Sequence, residues 1–123
     1  MSRLVVYQYP PCGTCRKAVK WLEQQGFELD LRNIKEAPPS VKELAELLDK
    51  SGLELKKFWN TSGDAYREQG LKDKLPAMSR EEQMALLASN GMLIKRPIVY
   101  DGTRVTVGFK EEMYEQAWKE NLE

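Results

Sequence analysis

Hydrophobic and polar positions recur along this chain with periods that change every ten residues or so, and each change marks a new element. Arg3-Leu4-Val5-Val6-Tyr7-Gln8-Tyr9 is β-branched and aromatic with partial alternation. Bounded by Pro10-Pro11, it predicts a buried strand. Cys15, Ala18, Val19 and Leu22 then fall at i, i+3, i+4 and i+7, one face of a helix that Gly26 ends. Phe27, Leu29 and Leu31 alternate with Glu28, Asp30 and Arg32, the period of a second strand. Strand, helix and strand within about thirty residues make a βαβ unit, so the two strands should run parallel.

Ala37-Pro38-Pro39 breaks the pattern. Ser40 and Glu43 form a capping box for a helix whose apolar face is Val41, Leu44, Leu47 and Leu48, ended by Gly52. A short helical turn, Leu53 to Phe58, leads into Trp59-Asn60-Thr61-Ser62-Gly63, a loop with a hydroxyl cap expected for a helix over Asp64 to Glu68. Ser79 and Glu82 make a second capping box for a helix that Asn90-Gly91 terminates. Pro97-Ile98-Val99-Tyr100 and Arg104-Val105-Thr106-Val107 flank Asp101-Gly102, which predicts a hairpin with a type I′ turn. A last helix carries Met113, Tyr114, Ala117 and Trp118 on one side. With no repeat or linker in view, the simplest closure is an α/β fold: a four-stranded mixed sheet flanked by helices, in one domain over 1–123, with a central helical insert over about 38–91.

Composition narrows the chemistry. The chain has 123 residues, 41% of them hydrophobic, with 19 basic and 19 acidic side chains. It is neutral overall, without the basic excess of a general nucleic-acid binder. No apolar run has the length of a membrane span, and the first residues lack the apolar core of a signal peptide, so a cytoplasmic location is expected. There is no histidine. Ser-His and Cys-His pairs and histidine zinc sites are thereby excluded, leaving thiols, carboxylates, Lys/Arg and backbone amides.

Pro11-Cys12-Gly13-Thr14-Cys15-Arg16-Lys17 places C-x-x-C where the first strand meets its helix. Residues three apart on a helical turn lie about 5–6 Å apart, which a disulfide can span without large backbone movement. Cys12 falls near the N-cap, where free amides and the dipole favour a thiolate, and Arg16 adds positive charge. Gly13 and Thr14 are small and leave the Cys12 sulfur open. An exposed, acidic thiol with a second thiol in reach suits attack on an electrophile followed by release through an internal disulfide. A zinc knuckle would need two further ligands that are absent. A merely structural pair is the other alternative, since Cys15 matches the buried helical face. Arg96 could serve an anion or a surface ion pair, and Trp59-Asn60-Thr61-Ser62-Gly63 could hold an anion or simply cap a helix.

The Pro-Cys-Gly-Thr-Cys-Arg-Lys-Ala start, Trp59-Asn60-Thr61-Ser62-Gly63 with Tyr66-Arg67, Gly70-Leu71-Lys72-Asp73-Lys74-Leu75, Lys95-Arg96-Pro97-Ile98-Val99 and Val107-Gly108-Phe109 together resemble the arsenate reductase/Spx family nearly end to end. The resemblance implies a thioredoxin-like fold with the helical insert, and is to the small CxxC-containing members more than to either archetype. It implies a cis Pro97 facing the CxxC, shaping a docking groove, with Arg96 turned toward the thiolate or an anionic substrate. It also implies Cys12 as nucleophile, Cys15 as resolving thiol, no bound cofactor, and an external reductant such as glutathione/glutaredoxin or the thioredoxin system.

Glutaredoxin-coupled arsenate reductases cradle their oxyanion with three arginines. Arg96 matches one of them, Asn60 stands at the insert position, and Phe109-Lys110 stands near the last, so arsenate affinity should be weakened. Spx-type regulators share the CxxC and Arg-Pro and bind the RNA polymerase α subunit. The expected function is therefore a thiol–disulfide oxidoreductase acting on a disulfide or oxyanion substrate. A redox-switched regulator and an arsenate reductase are the alternatives, none with direct nucleic-acid or membrane contact.

Overall fold

The structure, a computed structural model, describes residues 3–119. The chain falls into two compact units: the residues up to Asn33 together with those from Arg96 onward, and Ile34–Lys95.

The first unit is a four-stranded sheet in the order β2-β1-β3-β4, from β1 (Arg3–Gln8), β2 (Glu28–Asn33), β3 (Ile98–Tyr100) and β4 (Val105–Val107). β1 pairs in parallel with β2 from Arg3↔Glu28 to Gln8↔Asn33, as a βαβ unit requires. β3 runs antiparallel to both β1 and β4. Helix α1 (Gly13–Gln24) crosses between the parallel strands. It buries Cys15, Ala18 and Leu22 of the stripe its apolar period specifies, together with Trp21, while Val19 is half-buried. Leu4 and Val6 of β1, Val99, and Tyr114 and Trp118 of the last helix complete this core. That helix is α6 (Glu111–Tyr114), continued by a π turn over Glu115–Lys119. Its two buried aromatic polar groups are satisfied: the Tyr114 hydroxyl donates to Gly108 O at 2.9 Å and Trp118 Nε1 to Thr106 Oγ1 at 3.1 Å. β2 is an edge strand, and this leaves Leu31 47% exposed although the alternation assigns it a core face.

The second unit holds α2 (Val41–Ser51), α3 (Asp64–Glu68), α4 (Leu71–Lys74) and α5 (Arg80–Ser89), with 3-10 turns at Leu55–Phe58, Leu75–Ala77 and Gly91–Leu93. Both predicted capping boxes are formed, Ser40 with Glu43 and Ser79 with Glu82. Leu44, Leu47 and Leu48 of α2 and Met84 and Leu87 of α5 are buried.

Three local expectations are corrected. Val41 is 46% exposed, since the face of α2 that packs is centred on the leucines. The helix over Asp64–Glu68 has Gly63 as its N-cap and no side-chain cap. A tight turn, Gly63 N to Asn60 O at 3.1 Å, puts the glycine there instead of a hydroxyl; a Cβ at Gly63 would come within 2.6 Å of Asn60 Nδ2. The hairpin is not type I′, which needs positive φ at both central residues. Among the described residues only glycines have positive φ, Gly102 at 101°, and Asp101 instead accepts the amides of Thr103 and Arg104 on Oδ1 at 2.8 and 2.6 Å.

Candidate functional site

β1 ends at Gln8, and Tyr9-Pro10-Pro11 turns the chain into α1. The turn closes with Cys12 N donating to Tyr9 O at 2.9 Å, and Arg16 N then donates to Cys12 O at 3.1 Å as the first helical bond. Cys12 is therefore the N-cap, in extended conformation (φ −75°, ψ 121°). It is half-exposed, whereas Cys15, one turn on, is fully buried; both thiols are free.

Opposite influences act on the two sulfurs. For Cys12, partial burial weighs most and opposes ionisation. The Cys15 amide, the Cys15 thiol, the Arg96 guanidinium and the Thr14 amide together outweigh it and hold Cys12 below the ordinary thiol value. Its side chain closes no cap hydrogen bond, so these amides act at longer range, as the positive end of the helix. For Cys15, burial is again the largest influence. The bond its thiol donates to Cys12 and the charge at Cys12 push in the same direction, while the Tyr9 amide, which donates to Cys15 Sγ at 3.5 Å, and Arg96 oppose them. Cys15 is pushed up to about 12. The result is a reachable thiol made more acidic than usual, one turn from a buried thiol held in its protonated form.

The Arg96-Pro97 peptide bond is cis, as expected, and Pro97 is buried. Pro97 O accepts from Gly108 N at 2.9 Å. The Arg96 guanidinium carbon lies 5.3 Å from the centre of the Tyr9 ring. Its Nε and Nη1 are buried and find no hydrogen-bond partner among the described residues. The surface ion pair considered for Arg96 therefore does not engage these two atoms.

Gly13, Thr14 and Arg16 are exposed, and a Cβ at Gly13 would meet nothing within 4 Å, so that side of Cys12 is open. Arg96, and not Arg16, is the cation among the principal influences on Cys12. Asn60 belongs to the other compact unit, where its side-chain amide donates to Met92 O at 3.4 Å and its backbone amide to Leu93 O at 2.8 Å. Trp59 beside it is buried and donates Nε1 to Gln83 Oε1 at 3.3 Å. Phe109 packs edge-on against Tyr114, with ring centres 4.7 Å apart. Among the described residues, no group of three or more His, Cys, Asp or Glu side chains is placed to hold a metal, and no helix is long and apolar enough to cross a membrane.

Sequence reasoning missed Tyr9, which it treated only as the end of a strand. Its main chain bonds to both cysteines and its ring carries Arg96. An aromatic residue directly before Pro-Pro-Cys was the available signal.

The model of the ArsC family matches residues 7–117. The uncharacterized protein YusI of Bacillus subtilis (strain 168) is 61% identical over 115 residues, covering 94% of this chain and 98% of its own. The global transcriptional regulator Spx of Listeria innocua is 30% identical over 109 residues, covering 89% and 82%. Among solved structures, "a possible arsenate reductase" from Streptococcus mutans UA159 is 41% identical with a TM-score of 0.85, covering 100% of both chains. The sheet order, the CxxC at the β1–α1 junction and this structural likeness make the fold thioredoxin-like.

Proposed function

The chain belongs to the ArsC family, and from that premise we propose that it is a thiol-dependent oxidoreductase working through Cys12 and Cys15. The observation that carries this reading is a half-exposed free Cys12 at the N-cap of α1, one turn from a buried free Cys15; its surroundings lower the first thiol and raise the second. With a disulfide substrate, the Cys12 thiolate attacks one sulfur, forming a mixed disulfide and releasing the other sulfur as a thiolate. Cys15 then attacks Cys12 Sγ, and its proton leaves with the departing substrate thiol. The substrate has gained two electrons, and Cys12–Cys15 has closed as a disulfide. An external thiol of the glutathione/glutaredoxin or thioredoxin type restores the dithiol. Arg96 supports the thiolate and receives an anionic group on the substrate, Pro97 shapes the docking groove, and Gly13 and Thr14 leave the sulfur open.

Asn60, which stands at an arginine position of arsenate reductases, is hydrogen-bonded within its own unit, so Arg96 would be the single matched donor. The likeness to Spx favours a second reading, in which the same disulfide switches a surface that binds the RNA polymerase α subunit.

Trapping tests the proposal. Reduced Cys15→Ser should accumulate mixed disulfides at Cys12 with the disulfide-bearing proteins of a native lysate free of added reductant, about tenfold or more above Cys12→Ser. The wild-type chain should turn over a small disulfide repeatedly with added glutathione or thioredoxin. No trapped species and no turnover would remove the enzyme reading, and oxidation-dependent retention of RNA polymerase would then favour the switch.

A further inference from the structure

We propose that Tyr9 is a positioning residue: its ring supports the Arg96 guanidinium so that N–H donors of that cation stay free beside Cys12, for an electrophile that carries an anion next to the atom attacked. This deepens the oxidoreductase reading and rests on it only for Cys12 as the nucleophile.

An arginine is ordinarily fixed by a carboxylate, which occupies its N–H groups and cancels its charge. At this site the support is an aromatic face, 5.3 Å from the guanidinium carbon. A cation held over a π face needs no carboxylate to fix it, so its N–H donors stay uncommitted. Two donors of the guanidinium, Nε and Nη1, are buried and without a partner among the described residues. Desolvated donors of this kind gain most from an ionised acceptor. Tyr9 is also fixed to the thiol pair by its main chain: its carbonyl accepts the Cys12 amide at 2.9 Å and its amide donates to Cys15 Sγ at 3.5 Å. One residue therefore sets both the sulfurs and the cation, and substituting its side chain leaves the two main-chain bonds available.

The test compares alkylation of Cys12 by anionic iodoacetate and neutral iodoacetamide, above the titration of Cys12, so that the thiolate fraction cancels in the rate ratio. The wild-type ratio should exceed that of an unstructured cysteine peptide. Tyr9→Phe should keep it, and Tyr9→Leu should lower it by about two- to fivefold. Arg96→Met should lower it at least as far, with Tyr9→Leu adding nothing in that background. Arg96→Lys keeps the charge but not the fixed planar array of N–H donors, and it too should lower the ratio, which keeps the test decisive should Tyr9→Leu fail to fold. An unchanged ratio in Tyr9→Leu or Arg96→Lys, or an equal fall from Tyr9→Leu with Arg96 absent, would overturn the role of Tyr9. A wild-type ratio no higher than the peptide's would overturn it along with the anion site. A Cys12 titration no lower than that of the peptide counts separately, against the oxidoreductase reading.

Discussion

Cys12 and Cys15 lie one helical turn apart, and burial weighs against the charge of both. Cys12 escapes because it also lies at the start of α1 beside Arg96; Cys15, beneath it, keeps its proton. That proton gives the fold a pH dependence whose sign follows from linkage. A thiol whose folded value is raised binds more protons in the native state than in the unfolded chain. Its stabilising contribution is complete below the ordinary value of 9.0 and is lost as pH rises from there toward about 12. Cys12 acts in the opposite sense, adding stability above its unfolded value and losing it as pH falls through its lowered folded value. Urea unfolding of the reduced protein and of Cys15→Ser, at pH ~8 and ~10.5, should therefore show wild type losing more stability across that interval than the variant. Parallel losses would mean that Cys15 is not held protonated by the fold.

At the scale of elements, the local code was legible where every participating atom lies within a few residues. Each capping box is such a case, as is the stripe of Cys15, Ala18 and Leu22 that places one thiol inward. The turn after β3 was misjudged because Asp-Gly carries two signals. Gly102 does take positive φ, but the carboxylate of Asp101 captures two amides and opens the loop by two residues before β4 begins. Leu31 and Val41 were misplaced for a related reason: a period identifies a face, and only the packed neighbours decide how wide the buried part is. Asp101→Ala removes the acceptor of both amides and should cost about 1 kcal/mol, as a lower urea midpoint with unchanged slope. Asp101→Asn, which keeps one acceptor oxygen, should recover part of the loss. If alanine is neutral, the loop does not depend on that carboxylate.

Across the whole molecule, the candidate site divides into a part written contiguously and a part that folding assembles. Cys12 and Cys15 were legible as a motif at the end of a strand, but the partnership of Tyr9 with Arg96 joins residues that the whole of Ile34–Lys95 separates in the sequence. No period or spacing encodes it. The same holds for the second unit, whose closure depends on Gly91. Its φ is not positive, so conformational freedom is not the reason for glycine. A Cβ there would stand 1.7 Å from Ile34 O and 2.6 Å from Ile34 C, backbone atoms that cannot rotate aside. The unit thus closes by laying the chain near its exit against the first residue of its entry, and the antiparallel bridge of Trp59 with Ile94 lies beside the same crossing. Gly91→Ala must separate these segments, at a cost of about 1–3 kcal/mol or more. Thermal unfolding should register it as a clear fall in Tm. Cys12, Cys15, Tyr9 and Arg96 all belong to the other unit, so the iodoacetate-to-iodoacetamide ratio of the folded variant should stay at the wild-type value. A Tm equal to that of the parent would show that Ile34 can yield, and a changed ratio would show that the site draws on the insert after all.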